Sequence, residues 1–208
     1  MSSAALILAA GESRRMGSPK ALLDYAGASF LDTLIGLLAP RCSPVIVALG
    51  AAADEIRAAA RRPSAFVVNP EWRRGQTTSM QCGLRAVPPE APGILFTLVD
   101  HPAVAPATID ALLTAQWDRP SHSAACHSSP ERAGELLRVP RYRGRRGHPI
   151  WLSRELIPEF LDLPAGGAAR DVVRRHAEDT AFLDLDDPGI LADIDDRADY
   201  AALRGVAS

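Results

Sequence analysis

Three times in its first hundred residues the chain runs from a short apolar segment straight into a polar turn. Leu6-Ile7-Leu8 opens onto Gly11, Ala65 to Val68 onto Asn69-Pro70, and Ile94 to Val99 onto Asp100. Short apolar runs bounded by turn residues fit strands buried on both faces, the kind found in parallel sheets. Amphipathic segments lie between them. Ser29 to Ala39 reads as a helix: Ser29 caps it, Asp32 follows three residues on, and Leu31, Leu34, Ile35 and Leu38 share one face. Val45 to Leu49 is a further strand closed by Gly50, Asp54 to Arg62 a helix, Ser79 to Ala86 a short helix, and Pro106 to Trp117 a helix with Ile109, Leu112, Leu113 and Trp117 inward.

Strands alternating with helices imply parallel βαβ units, hence a three-layer αβα, Rossmann-like α/β fold with a mostly parallel sheet. Ligands of such sheets lie beyond the carboxyl ends of the strands, where strand order reverses. The polar motifs after Leu8, Val68 and Val99 should therefore converge on one edge. The second half is less regular. Asp118 to Glu135 is expected to be an exposed loop, Ser153 to Leu161 and Gly167 to Ala177 helices, Phe182 to Leu185 a strand, and Asp187-Pro188-Gly189 a turn. We read the 208 residues as one domain with a substrate-side subregion.

Composition narrows the partners. Apolar residues make up 47% and charged residues 23%, as in ordinary globular domains. With 25 acids against 23 bases and a net charge of −2 there is no footprint for a nucleic-acid backbone. The local clusters Arg14-Arg15 and Arg141 to Arg146 suit a small anionic ligand instead. The apolar run Ala4 to Ala10 is far shorter than the about 20 residues a bilayer requires, so no membrane partner is expected. The opening residues lack the features of a signal peptide, and Cys42, Cys82 and Cys126 show no paired spacing, which together predict a cytoplasmic protein with reduced thiols. His122, Cys126 and His127 lack a second spaced pair, so no zinc site is expected.

The first polar motif is Leu8-Ala9-Ala10-Gly11-Glu12-Ser13-Arg14-Arg15-Met16-Gly17-Ser18-Pro19-Lys20. Glycines at a strand end let backbone N–H groups approach phosphate oxygens, and Arg15 and Lys20 supply countercharge. The spacing is neither that of a Walker loop nor Gly-x-Gly-x-x-Gly. The second motif runs from Asn69 through Gly75, Thr77, Thr78 and Ser79 to Gly83-Leu84, where a capped helix and a nucleobase-reading edge are both open readings. The third is Leu98-Val99-Asp100-His101-Pro102, with a carboxylate placed to hold Mg²⁺ at a strand end. Further on come Tyr142-Arg143-Gly144-Arg145-Arg146-Gly147-His148-Pro149, Ala165-Gly166-Gly167-Ala168-Ala169-Arg170, and Asp193-Ile194-Asp195-Asp196-Arg197-Ala198-Asp199-Tyr200.

These motifs, in this order from roughly Leu6 to Tyr200, resemble those of the MobA-like NTP transferases that act in molybdenum cofactor biosynthesis. The opening loop follows the pattern LAAGxSxRMGxxKxLL through Leu22-Leu23, and the chain is most similar to the MocA-like branch, which attaches CMP to molybdopterin. A Gly-Pro-Leu segment usual at the second motif of the GMP-transferring relatives is absent, which favours CTP. The resemblance implies a fold of the nucleotide-diphospho-sugar transferase type, with a nucleotide-binding half at about 1–117 and an acceptor-binding half at about 118–208. It implies Lys20, Arg15 and Asp100 as catalytic residues. Leu8, Ala9, Ala10, Gly11, Gly17, Lys20, Thr78, Ser79, Gly83 and His148 would bind ligand, and Asp100 and Asp195 would hold Mg²⁺, with Asp193 an alternative ligand. The arginines near His148 would hold the acceptor phosphate. Two departures stand out: His101 replaces a usual glutamine, and Gly166 and Ala168 replace an acid and a glycine. The expected reaction moves a nucleoside monophosphate from CTP to molybdopterin, with a client molybdoenzyme as a possible recipient of the product. Alternatives are the same chemistry with GTP or another acceptor, such as a phospho-sugar or phospho-lactate, or a non-catalytic accessory that delivers cofactor to a molybdoenzyme.

Overall fold

A computed structural model describes residues 2–115, 135–164 and 166–206. Strand β1 (Ala4–Ala9) is followed by a long loop, a small hairpin of β2 (Asp24–Tyr25) and β3 (Ala28–Ser29), and helix α1 (Phe30–Leu38). Then come β4 (Val45–Leu49), α2 (Ala53–Ala59), β5 (Ala65–Val68), α3 (Gln76–Leu84), β6 (Gly93–Leu98) and α4 (Pro106–Thr114). The second half supplies β7 (Leu137–Tyr142), β8 (Arg145–Arg146), β9 (Ile150–Ser153), α5 (Ile157–Leu161), α6 (Ala169–Arg175), β10 (Thr180–Asp184) and α7 (Arg197–Val206). Among these described residues no helix is long and apolar enough to cross a membrane.

The main sheet has the order β10-β7-β9-β6-β1-β4-β5, with β8 paired to β7. Strands β6, β1, β4 and β5 are mutually parallel, and β9 runs antiparallel to both β6 and β7. All six residues of β1 are buried, and their alternation sorts the two cores. Ala5, Ile7 and Ala9 pack with Leu31, Leu34, Ile35 and Leu38 of α1, Ile56 of α2, and Ile109 and Leu112 of α4. Ala4, Leu6 and Leu8 pack with Met80 and Leu84 of α3, Ile157 and Phe160 of α5, and Val172 of α6. Three layers result, as the alternation of apolar runs and amphipathic segments predicts.

Local chemistry explains most element ends. Ser29 Oγ accepts from the Asp32 backbone N–H at 3.0 Å and so starts α1. The buried Asp32 carboxylate then accepts the backbone N–H groups of Arg61 and Arg62, at 3.0 and 3.1 Å. Those donors are lost to α2, which stops at Ala59 rather than at the expected Arg62. Ser153 closes β9 and caps a single 3₁₀ turn before α5, so the helix expected from Ser153 begins at Ile157. Helix α3 begins at Gln76, three residues earlier than its sequence suggests. The expected loop from Asp118 to Glu135, and Trp117, lie outside the described residues but for Glu135.

Chain order leaves β1 toward β4 and β5 on one side, then returns to place β6 on the other. The reversal lies between β1 and β6, where Leu8 stands beside Leu98 and the Val99 N–H donates to the Leu8 carbonyl at 3.0 Å. The loop after β1 and the acid after β6 therefore leave the sheet side by side.

Candidate active site

A cavity of about 590 Å³ opens at this reversal. Leu8, Ala9, Ala10, Gly11, Arg15 and Lys20 from the first motif line it, with Ser79 from α3, Asp100 after β6, and Asp193 and Asp195 from the segment before α7. The loop is folded back on itself: Ser13, at φ 51°, accepts the Lys20 backbone N–H on its Oγ at 3.0 Å and the Met16 N–H on its carbonyl. Buried Met16 anchors the loop, and Gly17 takes φ +73°, a conformation that side chains resist. At Gly11 the protein itself makes no such demand. A Cβ there would meet nothing within 4 Å, so the glycine leaves room in front of the loop and none is needed behind it. Gly11→Ala is expected to leave the melting temperature within a degree or two and to weaken nucleotide triphosphate affinity about tenfold. Titration calorimetry checks this, and unchanged affinity would remove the loop from the binding surface.

The charged centre is built around Lys20. Its ammonium donates to Asp100 Oδ2 at 3.0 Å and to Asp195 Oδ1 at 2.7 Å, so both carboxylates lie on one nitrogen despite their separation in the chain. Burial by itself would lower the Lys20 pKa. The hydrogen bond to Asp195 and the charge of Asp100 outweigh it, and the pKa is raised. Asp100 is likewise partly buried, which opposes ionisation, but the hydrogen bond from His101 and the charge of Lys20 bring it down to about 2. Arg15 approaches Asp195 from the solvent side at 3.7 Å. Asp193 has the opposite shift: burial and then the negative charges of Asp100 and Asp195 push its pKa up. Three carboxylates thus face one half-buried ammonium, and a donor atom from each of Asp100, His101 and Asp193 lies within 4.8 Å of the others. Hard oxygen donors crowded in this way fit a divalent cation.

A second cavity of about 710 Å³ lies on the α3 side. Arg74, Arg146, Arg170 and His148 line it together with Phe96, Ile150, Phe160 and Gly166, and no acid is among its described lining residues. It meets the first cavity at Gln76 and Leu98, which line both. An anion held by the arginines would therefore face the end of the glycine loop across Gln76.

The remaining sequence-predicted residues sit as follows. Thr78 is buried, with its hydroxyl donating to the Gly75 carbonyl at 2.8 Å and accepting from Asn69 at 2.9 Å. Gly83 lies down α3, where a Cβ would run into the Leu6 side chain, so it sets the close approach of helix to sheet. Gly17 is on the far side of its loop, beside Arg197. His148 packs edge to face on His101 at 5.1 Å and tilted on Phe96 at 5.9 Å, with Nδ1 sealed and without a partner. Gln76 and Trp72, both lining the first cavity, were not legible as site residues. The one clue was their position around Gly75, whose φ of 120° turns the chain into α3.

Burial, and then the neighbouring His101 ring, lowers the His148 pKa from 6.5 to about 4. The unfolded chain protonates this ring as pH falls below 6.5, whereas the folded chain does so only near 4. Folding stability is therefore lost across that interval, by up to about 3 kcal/mol from this ring. His148→Phe is expected to flatten the decline in unfolding free energy between those two pH values, measured by urea denaturation. Equal slopes would refute it.

Residues 5–180 match the MobA-like NTP transferase domain. The chain belongs to that family. A relative named "Probable molybdenum cofactor guanylyltransferase", from Mycobacterium avium (strain 104), is 31% identical over 210 residues, covering 98% of this chain and 95% of its own. "Molybdenum cofactor cytidylyltransferase" of Escherichia coli (strain K12) is 26% identical over 201 residues, covering 96% and 94%. The crystal structure of Rv0371c from Mycobacterium tuberculosis H37Rv in complex with manganese superposes with a TM-score of 0.71 at 27% identity, over 98% of each chain. As a MobA-like NTP transferase the protein is a nucleotidyltransferase, and the names of its relatives divide between guanylyl and cytidylyl transfer.

Proposed function

We propose that this MobA-like enzyme moves CMP from CTP to molybdopterin and releases pyrophosphate, working in the cytoplasm with Mg²⁺. The observation that carries this reading is the Lys20 ammonium held between Asp100 and Asp195 beside the glycine loop, in a cavity that adjoins a second one at Gln76 and Leu98. Nucleotidyl transfer with a divalent metal is supported by the family and by the manganese complex of a relative. Molybdopterin as acceptor rests on the relatives' names, and CTP on the absence of the Gly-Pro-Leu segment from the second motif.

In this reading the half at about 1–117 binds the nucleotide, and the second cavity, lined mostly by residues of the half at about 118–208, takes the acceptor. An acceptor phosphate oxygen attacks the α-phosphorus in line; the bond to the bridging α–β oxygen breaks, and pyrophosphate leaves with the electron pair. Backbone N–H groups between Ala10 and Arg15, the part of the loop that lines the first cavity, cradle the departing pyrophosphate, with the Arg15 side chain beside it. Lys20 turns from its two carboxylates to the α-phosphate, where negative charge accumulates. Arg146 and Arg170 hold the acceptor anion, and Gln76 spans the two substrates. Asp100 and Asp195, once freed of the ammonium, would supply oxygen ligands to a divalent ion, which when bound would supply charge neutralisation and Lewis acidity. No protein nucleophile is needed, since both reacting groups belong to the substrates. Catalysis is positioning and charge neutralisation between two anions.

Incubation with Mg²⁺, molybdopterin and each nucleotide triphosphate in turn tests the reading by pyrophosphate release. Release with CTP, together with a rise in melting temperature of about 5 °C at saturating CTP, is the expected result. Release with GTP alone would reassign the base. Binding of molybdopterin without pyrophosphate from any triphosphate would overturn transferase activity on this acceptor.

A further inference from the structure

The two oxygens of Asp100 face different neighbours. Oδ2 is taken by the Lys20 ammonium, which also fills the space toward Asp195. Oδ1 points to the His101 ring, 3.0 Å from Nδ1, and on that side Asp193 completes a group whose donor atoms lie within 4.8 Å of one another. We propose that in the nucleotide-free protein, with Lys20 still on its two carboxylates, a divalent ion sits on this second side, held by Asp100, His101 and Asp193, and that its imidazole ligand makes this resting site select Mn²⁺ over Mg²⁺. The inference rests on the reading above that a divalent ion works beside Asp100, and it specifies which donors hold an ion there before nucleotide arrives and which ion they favour.

Distances allow it. Ligands at about 2.1 Å from an octahedral ion stand about 3 Å apart when adjacent, so Asp100 Oδ1 and His101 Nδ1 already have the separation of neighbouring ligands. Asp193 is exposed and can close the remaining gap by a small side-chain movement. His101 cannot drift: it is 4% exposed and its ring is wedged edge-on against His148. A pre-set ligand of this kind gives up little conformational freedom when the ion arrives. Ion binding displaces the Nδ1 hydrogen that otherwise bonds Asp100, leaving the neutral tautomer with its hydrogen on Nε2 and the Nδ1 lone pair for the ion.

The chemistry of the donors sets the choice of ion. Mg²⁺ demands oxygen ligands and gives up its waters reluctantly, whereas imidazole suits first-row transition ions. At the place of His101 the family pattern has a glutamine, whose amide offers an oxygen. Exchanging an amide for an imidazole next to an otherwise unchanged acid shifts the preference away from Mg²⁺.

Pulsed EPR of the metal-stripped full-length protein loaded with Mn²⁺, without nucleotide, tests this directly. We expect the hyperfine signature of one coordinated imidazole nitrogen, lost in His101→Gln and kept in His148→Gln. Competition titration is expected to show Mn²⁺ binding at least about tenfold tighter than Mg²⁺ in the wild type, a ratio that falls about tenfold in His101→Gln. No Mn²⁺ binding without nucleotide, no nitrogen coupling in the wild type, or an unchanged signal in His101→Gln would each overturn it. Pyrophosphate release is scored separately, so nitrogen coupling in an inactive protein would retire the proposed reaction and leave the ion site standing.

Discussion

Lys20→Ala is expected to lower turnover by about a hundredfold or more, the scale of losing one preorganised charge at a transition state. Lys20 is the only residue among those described that donates to both Asp100 and Asp195, and its side chain is 13% exposed, so solvent screens it little. Because the charge on the α-phosphate grows as the new bond forms, kcat should fall more than KM for the nucleotide rises. Lys20→Arg keeps the charge, but a planar guanidinium cannot occupy the point that a compact ammonium shares with two carboxylates. It should restore nucleotide binding and little of the turnover. Stability reports the same contact independently. Lys20→Ala removes charge-assisted hydrogen bonds to Asp100 and Asp195 of about 1.5–3 kcal/mol each in comparable settings, discounted at Asp195 because it is 47% exposed. Since the folded-state pKa of Lys20 is raised, this contribution is intact below its unfolded value of 10.5 and is lost as pH rises beyond it. Wild-type turnover in Lys20→Ala would remove Lys20 from the chemistry.

How much of this was legible in the sequence depended on whether burial or side-chain direction decided the matter. β1, β4, β5 and β6 were legible because a strand covered on both faces must be apolar throughout, and a run such as Val45–Leu49 has few other uses. β7 was hidden. Pro140 and two arginines break its pattern, yet Arg138 lies over the Trp151 ring at 4.3 Å and also donates to the Leu112 and Leu113 carbonyls at the end of α4. Arg141 spans Phe182 and pairs with Asp184 of β10. The charges are partnered across the sheet, so periodicity could not reveal the strand. The same divide runs through the site. That the glycine loop, Asp100 and Asp195 meet followed from strand ends and family motif order. Which way each side chain turns did not: Thr78 is drawn inward by buried Asn69, Gly83 is filled against by Leu6, and Gln76 is left to join the two cavities. The sequence marks His101 only as a departure from a usual glutamine, and its contact with Asp100 gives that departure a consequence.

Asp100→Asn should be the most damaging single change, with turnover reduced by at least about a hundredfold, because one carboxylate serves two cations. Its Oδ2 fixes Lys20 and its Oδ1 faces the group formed with His101 and Asp193. An amide keeps the shape but cannot accept on both sides. The fold should weaken as well. Burial opposes ionisation of Asp100, but His101 and Lys20 overcome it and hold the pKa at about 2 against an ordinary 3.8. That difference corresponds to about 2 kcal/mol of stability. The contribution is fully present above pH 3.8 and is lost as pH falls through 2, so wild type and Asp100→Asn should converge in stability at strongly acid pH and separate by about 2 kcal/mol at neutral pH. Pairing the two variants gives the sharper test. Because Lys20 and Asp100 act through one contact, Lys20→Ala combined with Asp100→Asn should be only slightly slower than the worse single variant. Losses that multiply to about ten-thousandfold would mean that the lysine and the aspartate stabilise the transition state independently. The ammonium bridge between Asp100 and Asp195 would then be a feature of the resting protein alone.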